Sequence, residues 1–233
     1  MLDFDMILPL HNEASTIEQV VDELFQELRP RFKFQLLLCE DGSTDGTQTN
    51  LKRIHDKYSV SLVQSEFRTS YTEAIKRGLR TATAPYVLIM DADGQYNPRD
   101  LLMMWENRSP SQPVWGCRIS RRDPLYRRVM SFIFCRIYRL FFRTRLRDPS
   151  CGLILIHRSM AAKYTSQMGL MEIGFGWELA ARLWRDGVHC TEVPIHHRPR
   201  LMGSSRAFAG TRLPRLVVQQ LTALARLWAE GLN

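Results

Sequence analysis

No run of eighteen or more apolar residues occurs anywhere in the 233 residues, so no segment is expected to cross a bilayer as a helix. Cysteine is sparse and scattered: Cys39, Cys117, Cys135, Cys151 and Cys190 include no C-x-x-C pair, and no histidines stand at zinc-finger spacing. That spacing argues against structural zinc and for reduced thiols in a cytosolic protein. The glycine loops G-x-x-x-x-G-K-S/T and G-x-G-x-x-G, which cradle phosphates in many nucleotide-binding proteins, are missing. So are internal repeats and low-complexity stretches. The first strand pattern begins almost at Met1, which leaves no room for a signal peptide and fits the cytosolic expectation. Acidic residues are nearly absent from one block. Between Arg118 and Arg147, ten arginines stand against the single acid Asp123, a net of +9 where the whole chain carries +8. Such a block calls for an anionic partner: nucleic acid, a phospholipid surface or a phosphorylated substrate.

What is present is strand and helix in alternation. Apolar runs at residues 4–8, 34–39, 60–63 and 86–90 read as buried strands, and amphipathic stretches between them read as helices. Asn12 or Ser15 is expected to cap the first helix, which runs to about Leu28. The third helix covers residues 71–83, with Gly78 a soft spot in it. Alternation of this kind predicts an α/β fold with a mostly parallel central sheet flanked by helices. The second half is less regular. Its expected elements are a short helix at 98–106, strands at 114–119, 153–157 and 188–195, a helix at 177–186 stopped by Gly187, and a final helix at 213–228.

Three successive strands end in polar loops: Leu10-His11-Asn12-Glu13, Glu40-Asp41-Gly42-Ser43-Thr44-Asp45-Gly46, and Asp91-Ala92-Asp93-Gly94-Gln95. In an open α/β sheet, ligands bind beyond the carboxyl ends of the strands. Asp91 and Asp93, one residue apart, would repel each other unless positive charge lay across them. A hard divalent cation carrying phosphate oxygens answers that need, because Mg²⁺ is usually held by one or two carboxylates plus substrate phosphates.

Taken with Gly116-Cys117-Arg118, Asp148-Pro149-Ser150-Cys151-Gly152 and the Arg200-x-x-Gly203-x-Ser205-Arg206 loop, these motifs resemble those of the family 2 glycosyltransferases. Those enzymes have the GT-A, nucleotide-diphospho-sugar transferase fold. Within that family the chain is most similar to the dolichol-phosphate mannosyltransferase and polyprenyl-phosphate hexosyltransferase branch. The likeness runs from Phe4 to about Phe208, so residues 1–208 are expected to form the GT-A domain and 209–233 a C-terminal amphipathic helix.

The resemblance implies the following roles. Pro9, His11 and Glu13 belong to a loop that packs on the nucleoside, with His11 where the family has Tyr. Asp41 accepts hydrogen bonds from the base, and Glu40 replaces the Asp before it. Asp91, Asp93 and Gln95 hold Mg²⁺ or Mn²⁺ and the diphosphate, with Asp93 central to catalysis. Arg118 serves catalysis and the acceptor phosphate, together with Arg127 and Ser131; Cys117 replaces a Ser. Arg200 and Arg206 close over the donor phosphates, Arg206 replacing a common Lys. The family's N-x-G-x-G-x-A is replaced by residues 68–74, Arg-Thr-Ser-Tyr-Thr-Glu-Ala, which leaves the donor sugar open, as the His for Tyr exchange leaves the choice between UDP and GDP. The implied reaction is an inverting transfer of a hexose from a nucleotide-diphospho-sugar to a polyprenyl phosphate.

On a 100° wheel, Arg128, Arg136, Arg139 and Arg143 share one arc, opposite Met130, Ile133, Phe134, Ile137, Leu140 and Phe141. A basic, aromatic helix of this kind can lie in an anionic lipid interface. It can equally pack on its own domain with a wet basic face. The final helix also has an apolar side. The expectation is therefore a peripheral protein on the cytosolic face of a membrane, docked on anionic lipid or on a separate membrane subunit. Two rivals stand beside it. One is a related transferase with a non-lipid acceptor. The other is a basic nucleic-acid-binding module, against which acidic strand-end loops argue, since they repel a phosphate backbone.

Overall fold

The computed structural model describes residues 1–119, 125–200 and 213–230, with the side chains of Arg127 and of residues 213–216 outside that description. Its strands are β1 (Phe4–Leu10), β2 (Phe34–Asp41), β3 (Ser61–Ser65), β4 (Tyr86–Ile89), β5 (Val114–Ile119), β6 (Ile154–His157) and β7 (Thr191–His196). The helices are α1 (Ile17–Leu28), α2 (Thr47–Tyr58), α3 (Tyr71–Thr81), α4 (Asp100–Glu106), α5 (Leu125–Phe142), α6 (Arg158–Thr165), α7 (Phe175–Arg185) and α8 (Leu213–Glu230).

One sheet holds all seven strands in the order β3-β2-β1-β4-β6-β5-β7. Every residue of β1 is buried, as its apolar run, interrupted only by Asp5, requires of a central strand covered on both faces. The exception to apolarity, Asp5, accepts hydrogen bonds from the backbone N–H groups of Thr83 and Ala84 (2.5 and 2.8 Å) and so ties down the loop that leads into β4. Beneath the sheet's other end, Phe4, Phe32, Phe34, Tyr86 and Trp105 pack ring on ring, with Phe4 stacked on Phe34 at 5.5 Å.

Strand direction explains why so many distant segments meet. β1, β2, β3 and β4 run parallel, with Leu10 opposite Glu40, Ile7 opposite Ile89 and Asp41 opposite Ser65. Their four C-terminal loops therefore leave the same edge. β6 is antiparallel to β4, and β5 antiparallel to β6, while β7 is parallel to β5. The two reversals bring the segment before β6 (148–153) and the ends of β5 and β7 back to that edge.

Several expectations are corrected. Neither Asn12 nor Ser15 caps α1: Thr16 is its N-cap and makes no side-chain cap bond, while Asn12 sits at φ 58° in the turn before it. The elements start and stop within a few residues of expectation, but α6 lies in a stretch where no helix was expected. Gly78 is no soft spot. A Cβ there would stand 2.7 Å from Cys39 Sγ and 2.9 Å from Ile7 Cγ2, so the missing side chain lets α3 sit close on the sheet. Gly78→Ala should therefore lower the free energy of unfolding by about 1–3 kcal/mol through overpacking, although helix propensity alone favours Ala by about 1 kcal/mol. Urea denaturation checks this; a midpoint that rises would contradict it.

Candidate active site

The edge loops carry two groups of polar side chains, one at the end of β2 and one at the end of β4. At the β2 end, the Asp41 side chain is only 4% exposed. One of its oxygens, Oδ1, accepts from the Thr69 backbone N–H (3.0 Å), the Thr69 hydroxyl (2.5 Å) and Arg77 Nη2 (2.9 Å). The Arg77 guanidinium also reaches the Thr69 hydroxyl (2.8 Å). Gly42, at φ +63°, lies so close beneath the same segment that a Cβ would be 2.3 Å from Arg68 N.

Beside Asp41 stands His11. Its Nδ1 is 2.8 Å from the Asp41 carbonyl, which can only accept, so Nδ1 carries the proton; Nε2 then accepts from Asn12 Nδ2 at 3.3 Å. Asn12 is itself held, its Oδ1 accepting from Thr44 N (2.7 Å) and its N–H donating to Ser43 Oγ (2.9 Å). The ring is thus held at both nitrogens. Glu13 anchors the turn, its N–H on Thr47 Oγ1 and its carboxylate on Thr16 Oγ1, both at 2.9 Å. Glu40 is fully buried and accepts from the Ser43 N–H and from Gln48 Nε2. Pro9 lies within β1 opposite Cys39, buried in the sheet.

At the β4 end, Asp91 and Asp93 leave the strand together. The Tyr71 hydroxyl donates to Asp91 Oδ1 at 2.6 Å, and the Tyr96 hydroxyl, which accepts from Gly152 N at 2.9 Å, lies 3.4 Å from Oδ2. The carboxylate rests on Gly152, where a Cβ would come within 2.2 Å of Oδ2. Burial first, then the charge of Asp93, push the Asp91 carboxyl above its ordinary range, against the opposing bond from Tyr71. Asp93, largely buried, receives Arg200 Nη2 at 2.9 Å. A guanidinium thus already supplies positive charge to this pair, the need that a divalent cation would also meet. Gln95 points its amide nitrogen at the Arg198 carbonyl (3.2 Å), and Arg198 N returns a bond to the Gln95 carbonyl (2.8 Å), tying this loop to the end of β7. Among the described residues no group of three or more His, Cys, Asp or Glu side chains converges as a ready metal cage. Two carboxylates completed by substrate phosphate oxygens make the donor set of a Mg²⁺-type site instead.

Arg118, at the end of β5, forms a two-pronged pair with Asp148, Nε to Oδ2 at 2.7 Å and Nη2 to Oδ1 at 2.8 Å; Nη2 also reaches Ser150 Oγ at 2.5 Å. Arg118 is near enough for its charge to act on Asp91. Ser131 lies on α5, where its hydroxyl meets Cys135. The side chain of Arg127, and Arg206 entirely, lie outside the described residues.

The structure therefore gathers His11, Glu13, Asp41, Asp91, Asp93, Gln95, Arg118 and Arg200 along one edge. Thr69, Tyr71, Arg77 and Tyr96 are additional contributors that the sequence reading did not assign. Tyr71 and Thr69 stand in the stretch that departs from the family's glycine pattern, the one signal that could have drawn attention to them. Two other features are structural. Glu178 is fully buried, paired with Arg182 and accepting from Gly169 N and Met171 N. His196 pairs with Asp100, while His197 is buried against Tyr96. All five cysteines are free.

α5 packs by Tyr138 and Phe142, with Phe134 on Trp177 at 4.1 Å, and turns the opposite side outward. That outer side corrects the helical-wheel expectation. Ile133 and Leu140 are exposed together with Leu125, Tyr126, Val129, Phe132 and the arginines Arg128, Arg136 and Arg143. The face is apolar and basic at once. α8 buries Ala223, Leu224 and Leu227, and joins α7 through Arg182–Glu230 (3.2 Å) and α5 through Phe141 and Trp228. None of the helices among the described residues is long and apolar enough to cross a membrane.

A family model described as glycosyl transferase family 2 matches residues 5–165. Dodecaprenyl-phosphate galacturonate synthase of Rhizobium johnstonii is 26% identical, over 96% of this chain and 67% of that protein. Dolichol-phosphate mannosyltransferase of Saccharomyces cerevisiae is likewise 26% identical, over 97% of this chain and 87% of that protein. Among solved structures, glucosyl-3-phosphoglycerate synthase from Mycobacterium tuberculosis, in complex with Mn²⁺, UDP and glucosyl-3-phosphoglycerate, superposes with a TM-score of 0.68 at 17% identity, covering 96% of this chain and 80% of that one. A mannosyltransferase from Pyrobaculum calidifontis with GDP-mannose and Mn²⁺ gives 0.67 at 19% identity, covering 99% and 64%.

Proposed function

The chain belongs to glycosyl transferase family 2 and is a glycosyltransferase of GT-A fold; from that premise we propose that it moves a hexose from a nucleotide-diphospho-sugar to a polyprenyl phosphate, with inversion, at the cytosolic face of a membrane. The observation that carries the reading is the pairing of Asp91 and Asp93 at the end of β4, where the Asp91 carboxyl is pushed up and Arg200 already lies on Asp93. Asp91, Asp93 and Gln95 are the residues that would hold Mg²⁺ or Mn²⁺. Bound there, the cation would neutralise charge building on the departing nucleoside diphosphate, a contribution of about several kcal/mol.

The remaining work falls to the chain's own side chains. His11, Glu13 and Asp41 receive the nucleoside, and Arg200 with Arg206 covers the diphosphate. Arg118, Arg127 and Ser131 hold the acceptor phosphate. One phosphate oxygen attacks the anomeric carbon, a new C–O bond forms, and the bond to the nucleoside diphosphate breaks. That oxygen is already anionic near neutral pH, so no base has to remove a proton. The task is to bring two negatively charged groups together, for which forked guanidinium groups are suited. The names of two relatives, which specify dodecaprenyl phosphate and dolichol phosphate, support a lipid acceptor.

Radiolabelled nucleotide sugars, Mn²⁺ and a short polyprenyl phosphate test the reading: label should move into the organic phase. Label that leaves the nucleotide and stays in the aqueous phase would point to a non-lipid acceptor and overturn it.

The outer face of α5 supports the membrane part of the proposal. Leu140 is 82% and Leu125 72% exposed, and the arginines Arg128, Arg136 and Arg143 share that outer side. Apolar side chains at the acyl boundary, with arginines at the phosphates, describe an interfacial helix. Flotation with liposomes containing anionic lipid should recover the protein at low salt and less of it at high salt. Leu140→Glu with Phe132→Glu should abolish the association. Equal flotation on neutral and anionic liposomes would contradict the charge term.

A further inference from the structure

We propose that the donor nucleotide is a uridine diphosphate sugar, selected because Asp41 has one open oxygen and not two. This inference rests on the transferase reading above and specifies the donor's base.

The placement comes from the sheet. β2 and β4 flank β1 on either side, and adjacent strands are about 4.8 Å apart, so the tips bearing Asp41 and Asp91 are separated by roughly 10 Å. A nucleoside diphosphate whose phosphates lie at Asp91 and Asp93 reaches across that gap and sets its base at Asp41. The doubly held His11 ring offers that base an aromatic neighbour.

The selection comes from hydrogen bonding. Three donors, Thr69 N–H, the Thr69 hydroxyl and Arg77 Nη2, converge on Asp41 Oδ1. Among the described residues nothing donates to Oδ2, which keeps a little solvent contact. The site therefore presents a single acceptor, with the Arg77 guanidinium close by. Uracil presents one donor, N3–H, between two carbonyl oxygens that favour positive charge nearby. Guanine presents N1–H and N2–H₂ side by side and needs both oxygens of a carboxylate. Here it would leave a donor unpaired in a nearly buried site, and such a donor bears the full cost of its desolvation. Cytosine and adenine turn a ring-nitrogen lone pair towards the carboxylate and are repelled. Thr69 and Arg77 are accordingly specificity-determining residues that act through Asp41.

Calorimetry with UDP, GDP and CDP in the presence of Mn²⁺ tests this. UDP should bind at least about tenfold more tightly than GDP or CDP. Asp41→Asn gives a sharper readout. The three donors require the carboxamide oxygen at the Oδ1 place, so the amide nitrogen must occupy the open place and donate. UDP should then weaken and CDP, whose N3 accepts, should become the preferred ligand. GDP binding as tightly as UDP in the wild type would overturn the inference and leave the transferase reading intact. So would Asp41→Asn weakening all nucleotides alike. Failure of every nucleotide to bind wild type would overturn both.

Discussion

Gly152→Ala is expected to remove sugar transfer almost entirely while the protein stays folded. Gly152 precedes β6 and its Cα lies against the Asp91 carboxylate; a methyl group would stand 2.2 Å from Oδ2, 2.7 Å from Cγ and 2.9 Å from Oδ1. All three contacts are too close for real atoms, and Asp91 is held from its other side by the Tyr71 hydroxyl at 2.6 Å. The carboxylate must therefore leave its present place. Displacing a reacting or positioning group by about 1 Å can cost on the order of a hundredfold in rate. The neighbours of the intruding methyl group are side-chain atoms of Asp91 alone, so the sheet backbone itself is not strained. The check is the transfer rate beside a far-ultraviolet circular dichroism spectrum and a thermal midpoint. Wild-type activity in Gly152→Ala would show that the position of Asp91 is immaterial.

Asp148→Ala is expected to destabilise the protein by about 3–5 kcal/mol, the range for removing one partner of a buried ion pair. Arg118 and Asp148 expose only 11% and 10% of their side chains, and the two-pronged geometry adds Ser150 as a third member. Loss of Asp148 leaves a guanidinium in a nearly dry place. The companion variant separates stability from function. A buried pair replaced by apolar residues of similar volume is often neutral or stabilising, so Arg118→Met with Asp148→Leu should regain most of the lost stability. Transfer should stay absent in that double variant, because the proposed acceptor-phosphate ligand is gone. Urea denaturation and the transfer assay together decide it. A double variant that is stable and active would reduce Arg118 to a structural role.

The first half of the fold was legible because four buried parallel strands write themselves as short apolar runs, each ended by a polar loop. Residues 86–90 and the acids after them are the clearest instance. The second half was harder for a physical reason. β6 enters antiparallel between β4 and β5, and pairing direction leaves no mark in a four-residue apolar strand. α6 begins directly at the end of β6, without an acid or a capping side chain to announce it.

The same distinction holds at the site. Asp41, Asp91 and Asp93 declare themselves as carboxylates at strand ends. Thr69 and Arg77 do not, because their meaning comes from contacts with Asp41 across 28 and 36 residues of chain that no periodicity encodes. Tyr71 is read from sequence as a helix start and in the structure also holds Asp91. Arg118 was expected to face a phosphate, and the structure adds the carboxylate that holds it in place. On α5 the wheel found the right helix and the wrong partition: spacing separates arginines from apolar residues, but packing chooses Tyr138 and Phe142 as the inner face and turns Ile133 and Leu140 out with the arginines.

The central claim is that Asp91 and Asp93 bind a divalent ion and a nucleoside diphosphate together. Titrating Mn²⁺ while following the electron paramagnetic resonance signal of the free ion tests it most directly. Mn²⁺ alone should bind weakly, and added UDP should tighten it well beyond the affinity of UDP for Mn²⁺ in buffer, with Asp93→Asn removing the gain. A free-ion signal that follows nucleotide identically with and without the protein would contradict the claim.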